Sequence, residues 1–212
     1  ETVMQHHQRY FAIEDGDGKL QPRFIAVANL DGDPAGEIAR GHARVLRARF
    51  NDARFFWDAD QKQTLAERAG SLKRVTFHAK IGSYFEKTGH NRRIAKELAA
   101  LAGLDAELSR AADRAAELAK TDLTTEMVGE FPELQGIVGG LYARHQGESE
   151  DVAAAVRDHY KPAGARDALP STAAGQIVAI ADKLSTLGGL FGAGMKPTGS
   201  KDPFALRRAA YG

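Results

Sequence analysis

From Gln61 to the C-terminus, apolar residues return at intervals of three and four, and that period decides the fold class before any motif is considered. Leu65, Leu72, Val75 and Ala79 form one stripe, and Ile94, Leu98 and Leu101 form a second. Leu108, Ala111, Ala115 and Leu118 form a third, and Ile177, Ile180, Leu184 and Leu187 a fourth. Side chains repeated at this period share one face of a helix, and that face needs apolar cover. The breaks Gly89, Gly103, Pro132, Gly139-Gly140, Pro162 and Pro170 fall between stripes rather than inside them. Residues 61–212 are therefore expected to form an all-helical domain, with no internal repeat.

The first sixty residues read differently. A polar-aromatic run from Thr2 to Ile13 leads into the turn-forming Asp15-Gly16-Asp17-Gly18, and the β-prone Phe24-Ile25-Ala26-Val27-Ala28 follows. That order predicts a β-hairpin. After the Gly/Asp/Pro-rich loop from Asp31 to Gly36, alternation is lost, and Val45, Leu46, Arg49 and Ala53 fall at helical spacing. A hairpin plus helix over residues 1–60, with a boundary near Asp60, makes the whole chain mainly α with a small α/β segment in front.

With 212 residues, 43% of them hydrophobic, the chain can bury a core. Its 29 Lys and Arg stand against 28 Asp and Glu, so any contact with a polyanion must come from local clusters rather than from an overall field. The absence of cysteine excludes disulfides, thiolate metal sites and cysteine nucleophiles. No apolar run of membrane-spanning length and no signal-peptide pattern is present, which makes cytoplasmic the default and a membrane partner unexpected. The start at Glu1 and the stop at Gly212 read as cuts in a longer protein.

Several stretches, in order, carry a resemblance. They are Gln8-Arg9-Tyr10-Phe11, Gly18-Lys19-Leu20, Phe24-Ile25-Ala26-Val27-Ala28-Asn29, Val45-Leu46-Arg47-Ala48-Arg49 and Asp52-Ala53-Arg54-Phe55-Phe56. To these are added the twelve-residue string TEMVGEFPELQG from Thr125 to Gly136 and the string PTGSKDPF from Pro197 to Phe204. Together they resemble the bacterial glycyl-tRNA synthetase beta subunit. The resemblance implies an aminoacyl-tRNA synthetase, a glycine-tRNA ligase of alpha and beta subunits serving protein biosynthesis. Alpha would bind glycine and ATP with Mg, and beta would engage glycine tRNA. Within that family residues 1–60 would be the C-terminal part of an inserted α/β module, and residues 61–212 an HD-like helical domain without a cofactor or catalytic residue of its own.

HD-superfamily hydrolases hold a metal with a His, a His-Asp pair and a distant Asp on successive helices, so that a bound water is activated near a phosphoester. His90, Asp122 and Asp182 fill three of those places here, while Thr121 stands where the pair's histidine should be. A hydroxyl is a far poorer ligand than imidazole for a first-row metal, so a vestigial site without metal is expected. Asp122 would be satisfied by backbone N–H groups, Lys183 or an arginine, and His145 and His159 are the substitute ligands the later helices offer. His78, flanked by Val75, Ile81 and Phe85, reads as a packed histidine.

Two basic clusters are the candidate tRNA contacts. Arg40, Arg44 and Arg47 share one helical face by their spacing, with Arg49 and Arg54 nearby, and guanidinium favours bidentate phosphate contacts. His42, within this run, stands where the family is expected to have an asparagine. Lys196, Lys201, Arg207 and Arg208 gather around a second helix start, with Asp202 as N-cap and Pro203 as first helical residue. The Gly194-to-Lys201 run mimics a Walker A loop, but its Ser and Lys come in the wrong order. The His6-His7-Gln8-Arg9-Tyr10 run is a weaker candidate for stacking on bases. The readings to separate are a noncatalytic tRNA-positioning part of the ligase, a metal-dependent HD-type phosphohydrolase, and a scaffold for subunit assembly.

Overall fold

The computed structural model describes every residue except 1–3, 6, 7, 30, 34, 165, 200, 203 and 212. His6 and His7 of the N-terminal run therefore lie outside the described residues. The chain is mainly helical, with a β-hairpin in front, as the apolar periodicity predicts.

Strand β1 (Phe11–Glu14) pairs antiparallel with β2 (Leu20–Ile25), Phe11 opposite Ile25 and Ala12 opposite Phe24. The turn is built by Asp15, whose Oδ1 accepts from the backbone N–H of Asp17 (3.1 Å) and Lys19 (2.8 Å), and by Gly18 at φ +75°. Tyr10 stacks on Phe24 with ring centroids 4.7 Å apart, and its hydroxyl is hydrogen-bonded to His42 Nδ1 at 2.6 Å. These two residues close a small core with Met4 and Leu46.

Helix α1 (Glu37–Asp60) is 24 residues long, about 36 Å at helical rise. Leu46 joins it to the hairpin core, while Ala53, Phe56 and Trp57 pack on the main helical core. Its last residue acts as a staple. Asp60, 2% exposed, accepts from the N–H of Glu126 (2.9 Å) and Met127 (3.0 Å), from the Tyr142 hydroxyl (2.9 Å) and from Arg68 (3.3 Å). One carboxylate thus caps a helix start and ties three separate parts of the chain to the end of α1.

The remaining helices are α2 (Leu65–Arg68), α3 (Tyr84–Leu101), α4 (Ala106–Leu118), α5 (Glu126–Glu130), α6 (Ile137–His145), α7 (Glu150–Asp158), α8 (Ala173–Gly192) and α9 (Leu206–Tyr211). Their starts are written in the sequence. Thr64 with Glu67 and Ser83 with Glu86 form capping boxes, and Asp105, Thr125, Ser149 and Thr172 accept from N–H groups of the first turn. Helices α3, α4, α7 and α8 pack together around a core dominated by alanine, including Ala95, Ala112, Ala115, Ala155, Ala174 and Ala181. Among the described residues no helix is long and apolar enough to cross a membrane.

Two expectations are corrected. Residues 61–212 are not helical throughout, because β3 (Thr76–His78) and β4 (Gly82–Ser83) form a second small antiparallel hairpin. The β-branched and aromatic Val75-Thr76-Phe77 and a positive φ of +114° at Gly82 override the helical period read through Leu65, Leu72, Val75 and Ala79. The stripes on α3 and α8 place the core only in part: Ile177 is buried, and Ile94 and Leu98 pack against the core. Leu101 is 85% exposed, and Ile180 and Leu184 are exposed, while α3 buries Lys87, Thr88, Asn91, Ala95 and Ala99. Small and polar residues take much of this interface, leaving Leu101, Ile180 and Leu184 on the flank.

Candidate functional site

The acids of the vestigial constellation are already occupied by protein cations and N–H groups. Asp182, on α8, takes Lys87 Nζ on Oδ1 (3.1 Å) and Lys120 Nζ on Oδ2 (3.0 Å), and Asn91 donates to Oδ1 at 2.8 Å. Lys87 also donates to the hydroxyls of Ser185 and Thr186, both at 2.7 Å, and Ser185 donates to Asn91 Oδ1. Lys120 lies over the Tyr160 ring, 3.7 Å from its centroid, so this buried ammonium has an aromatic face as well as the Asp182 carboxylate for partners.

Charge follows from that geometry. Burial alone would push the Asp182 carboxyl up, but the ammoniums of Lys120 and Lys87 outweigh it and hold the group far below the usual carboxylate range. Burial pushes Lys120 down to about 8 against the attraction of Asp182, and Lys87 moves the same way for the same reason. At neutral pH two buried cations therefore share one buried anion.

Asp122 is separate and fully buried. Its Oδ2 accepts from Gly136 N–H at 2.6 Å, while Oδ1 has no partner among the described residues. Burial raises it to about 6, against the pull of the Gly136 N–H and of Lys120. Of the partners expected for it, a backbone N–H is found and Lys183 is not, since that side chain donates to the Lys161 carbonyl at 2.6 Å. Thr121 spends its hydroxyl on the Leu118 carbonyl at 2.7 Å.

The histidines do not join these acids. His90 is exposed on α3, one residue off the face that carries Lys87 and Asn91. His145 is exposed and sets its ring edge-on to Trp57 at 5.7 Å. His78 packs edge-on to Phe204 at 5.4 Å, the packed role expected of it. His159 is fully buried, with Nδ1 2.6 Å from the Val156 carbonyl. Among the described residues no three His, Asp or Glu side chains come together as metal ligands. The donor set does not fit the metal that the HD-like resemblance implies: Asp182 is neutralised by ammoniums, and the required imidazoles point elsewhere.

Of the basic clusters, Arg40, Arg44 and Arg47 are all exposed on α1 and form no ion pair among the described residues, whereas Arg49 binds Glu130 at 3.1 Å. Lys196, Lys201, Arg207 and Arg208 are exposed as well. The helix start between them is not free for phosphate, because Asp202 already accepts from Leu206 N–H (2.8 Å) and Arg207 N–H (2.9 Å). Helix α9 begins at Leu206, after Ala205 at φ +52°, later than the expected start; Pro203 lies outside the described residues. Sequence reasoning missed the lysine pair altogether, since nothing in their spacing marks Lys87 and Lys120 as interior.

The family model described as "Glycyl-tRNA synthetase beta subunit" matches residues 1–212. Three curated proteins, each named glycine–tRNA ligase beta subunit, are similar. That of Acidobacterium capsulatum is 56% identical, covering 99% of this chain and 30% of the relative. That of Phenylobacterium zucineum is 52% identical, covering 100% of this chain and 32% of the relative, and that of Ralstonia nicotianae is 54% identical, covering 99% and 30%. The chain thus spans about 30% of the length of these relatives.

Proposed function

Because the chain belongs to the glycyl-tRNA synthetase beta-subunit family, we propose that it is a tRNA-holding part of a glycine–tRNA ligase and performs no aminoacylation chemistry itself. In this reading ATP, Mg and glycine are handled in an alpha subunit, and this part of beta helps to position glycine tRNA for it, in the cytoplasm. The observation that carries the reading is the row Arg40, Arg44 and Arg47, exposed on one face of α1 and unpaired among the described residues. Arginines in such a row can grip successive phosphates bidentately. The HD-type hydrolase alternative lacks its ligands, since the acid it needs most is bound by Lys87 and Lys120.

Salt dependence of tRNA binding by the full-length beta subunit tests this. Each phosphate contact contributes roughly 0.7–0.9 to the slope of log affinity against log salt, so replacing all three arginines by Gln should lower that slope by about 2. No tRNA binding by the complete subunit at low salt, or an unchanged slope in the triple variant, defeats the proposal.

The scaffold reading keeps one supporting observation, the exposed apolar line Ile180, Leu184 and Phe191 along α8. Charge reversal at Arg207 and Arg208 separates the two: intact tRNA affinity with lost subunit assembly favours the scaffold.

A further inference from the structure

Positive charge is gathered into two stretches of the chain. Residues 69–85 contain Lys73, Arg74 and Lys80 and no Asp or Glu, and residues 184–212 contain Lys196, Lys201, Arg207 and Arg208 with Asp202 as their single acid. Together the two stretches hold seven of the 29 Lys and Arg and one of the 28 Asp and Glu, which leaves 22 against 27 elsewhere. A chain balanced as a whole is therefore cationic in these two places and acidic in the remainder.

The fold brings the two stretches together. His78, at the end of β3, sets its ring edge-on to Phe204 at 5.4 Å, and Ile81, in the turn before β4, lies so close to α8 that a Cβ at Gly189 would meet it at 3.4 Å. Lys80 stands between them in that turn, exposed, with its N–H donating to His78 Nδ1 at 3.2 Å. Across the contact, Thr198 and Lys201 exchange backbone hydrogen bonds of 3.0 and 2.8 Å, and Asp202 holds the N–H groups of Leu206 and Arg207. All seven cations are exposed, and none forms an ion pair among the described residues. The acids beside them are engaged elsewhere: Glu86 accepts from Ser83 N–H at 2.6 Å, and Asp202 caps α9.

We propose that the β3–β4 turn and the 196–208 segment form one contact face for an RNA backbone, bridged by Lys80 and separate from the arginine row on α1. Cations crowded without counter-charges repel one another, and a polyanion relieves that repulsion while releasing its own counterions. Aromatic faces sit among the cations: Phe85 is 42% exposed with Lys73 Nζ 4.8 Å from its centroid, and Phe204 is 41% exposed. A nucleotide brings a flat base along with its phosphate and can use both features, whereas an acidic side chain can use only the charge. The proposal rests on the tRNA-holding reading for the identity of the RNA, and adds to it a residue, Lys80, that only the fold places in the cluster.

Salt dependence of tRNA binding by the full-length beta subunit tests the face, with Lys80→Gln as the deciding variant. That change should lower the slope of log affinity against log salt by roughly 0.7–0.9, and Arg207→Gln with Arg208→Gln by about twice as much. Both losses should add to that of the α1 arginine variant, since the two faces share no residue. Urea unfolding should be unchanged in all of them, because every replaced side chain is exposed. A slope unchanged by Lys80→Gln overturns the composite face; if the α1 variant still lowers it, the tRNA-holding reading stands without this face. No tRNA binding by the parent subunit removes both. An unchanged slope together with lost assembly with an alpha subunit assigns the face to an acidic protein surface and overturns the RNA assignment.

Discussion

Replacing Asp182 by Asn removes one negative charge and almost nothing else, because Asn is nearly isosteric. Lys87 and Lys120, 6% and 2% exposed, would then be two buried ammoniums without an anion between them. Removing one partner from a buried ion pair costs roughly 3–5 kcal/mol, and here two cations lose the same partner, so a loss of that size is expected at pH 7. The chain has a single tryptophan, Trp57, whose ring lies 4.9 Å from that of Tyr142. Urea unfolding followed by its fluorescence reads the loss directly.

The pH dependence gives a second, sharper readout. In the native protein Lys120 sits at about 8, below its unfolded value, so between those two values the unfolded chain binds more protons than the folded one. Stability from this group therefore rises with pH across that window and is lowest below it. Without the carboxylate, burial acts on both lysines unopposed, and the window opens at lower pH. The stability deficit of Asp182→Asn should accordingly shrink as pH rises from about 7 to about 9, and adding Lys120→Met should recover part of it at pH 7. A variant within about 1 kcal/mol of the parent at pH 7, or a deficit flat across this range, refutes the buried two-lysine network.

Asp60→Ala should cost about 2–4 kcal/mol in the same assay, because it uncaps Glu126 and Met127 and leaves the Tyr142 hydroxyl buried, whereas Tyr142→Phe should cost only about 1 kcal/mol. Gly140→Ala would set a Cβ 2.6 Å from Arg157 Cβ and 2.8 Å from the Ala153 carbonyl oxygen, pushing α6 off α7 for a cost of about 1–3 kcal/mol. Gly129→Ala, with open space around it in α5, should instead stabilise by up to about 1 kcal/mol, and equal effects at the two sites would contradict the packing. Burial raises Asp122 to about 6 in the fold, above the ordinary carboxyl value of 3.8, so folding takes up a proton between these values and stability falls as pH rises from about 4 to 6. In Asp122→Asn that fall, on the order of 3 kcal/mol, should be absent from the pH–stability curve.

What the sequence made legible was local. Asp15 and Gly18 announced the hairpin turn, and the residues that cap helices sit at the spacings their chemistry requires. The interior was less legible, because it departs from the rule that large apolar side chains go in and lysines stay out. Lys120 is buried through a partner 62 positions away and Lys87 through one 95 positions away, separations at which no periodicity speaks. Lys183, one of the partners expected for Asp122, donates instead to a backbone carbonyl. Asp60 marked a boundary by position, but its role as a staple depends on Tyr142, 82 residues on.

The lysine pair also bears on where recognition can happen. A carboxylate pair stripped of its imidazoles would ordinarily be a buried liability, and in this fold the liability at Asp182 is met from within by two ammoniums. The interior cations are thereby spent on folding, and only surface cations are left to meet an anion. Those on α1 are well placed, because that helix is fixed at both ends: Leu46 and the hairpin core hold one half, and Trp57 and the Asp60 staple hold the other. Arg40 and Arg47 therefore ride on a rod, about 10 Å apart along its axis, whose direction the helical domain sets. A row held that way can select a phosphate spacing as well as a charge, so, if the proposed tRNA contact is made there, loosening the staple with Asp60→Ala should weaken it even though Asp60 itself is buried. If tRNA affinity is unchanged in that variant under conditions where it stays folded, the helix works as a tether and its direction does not matter.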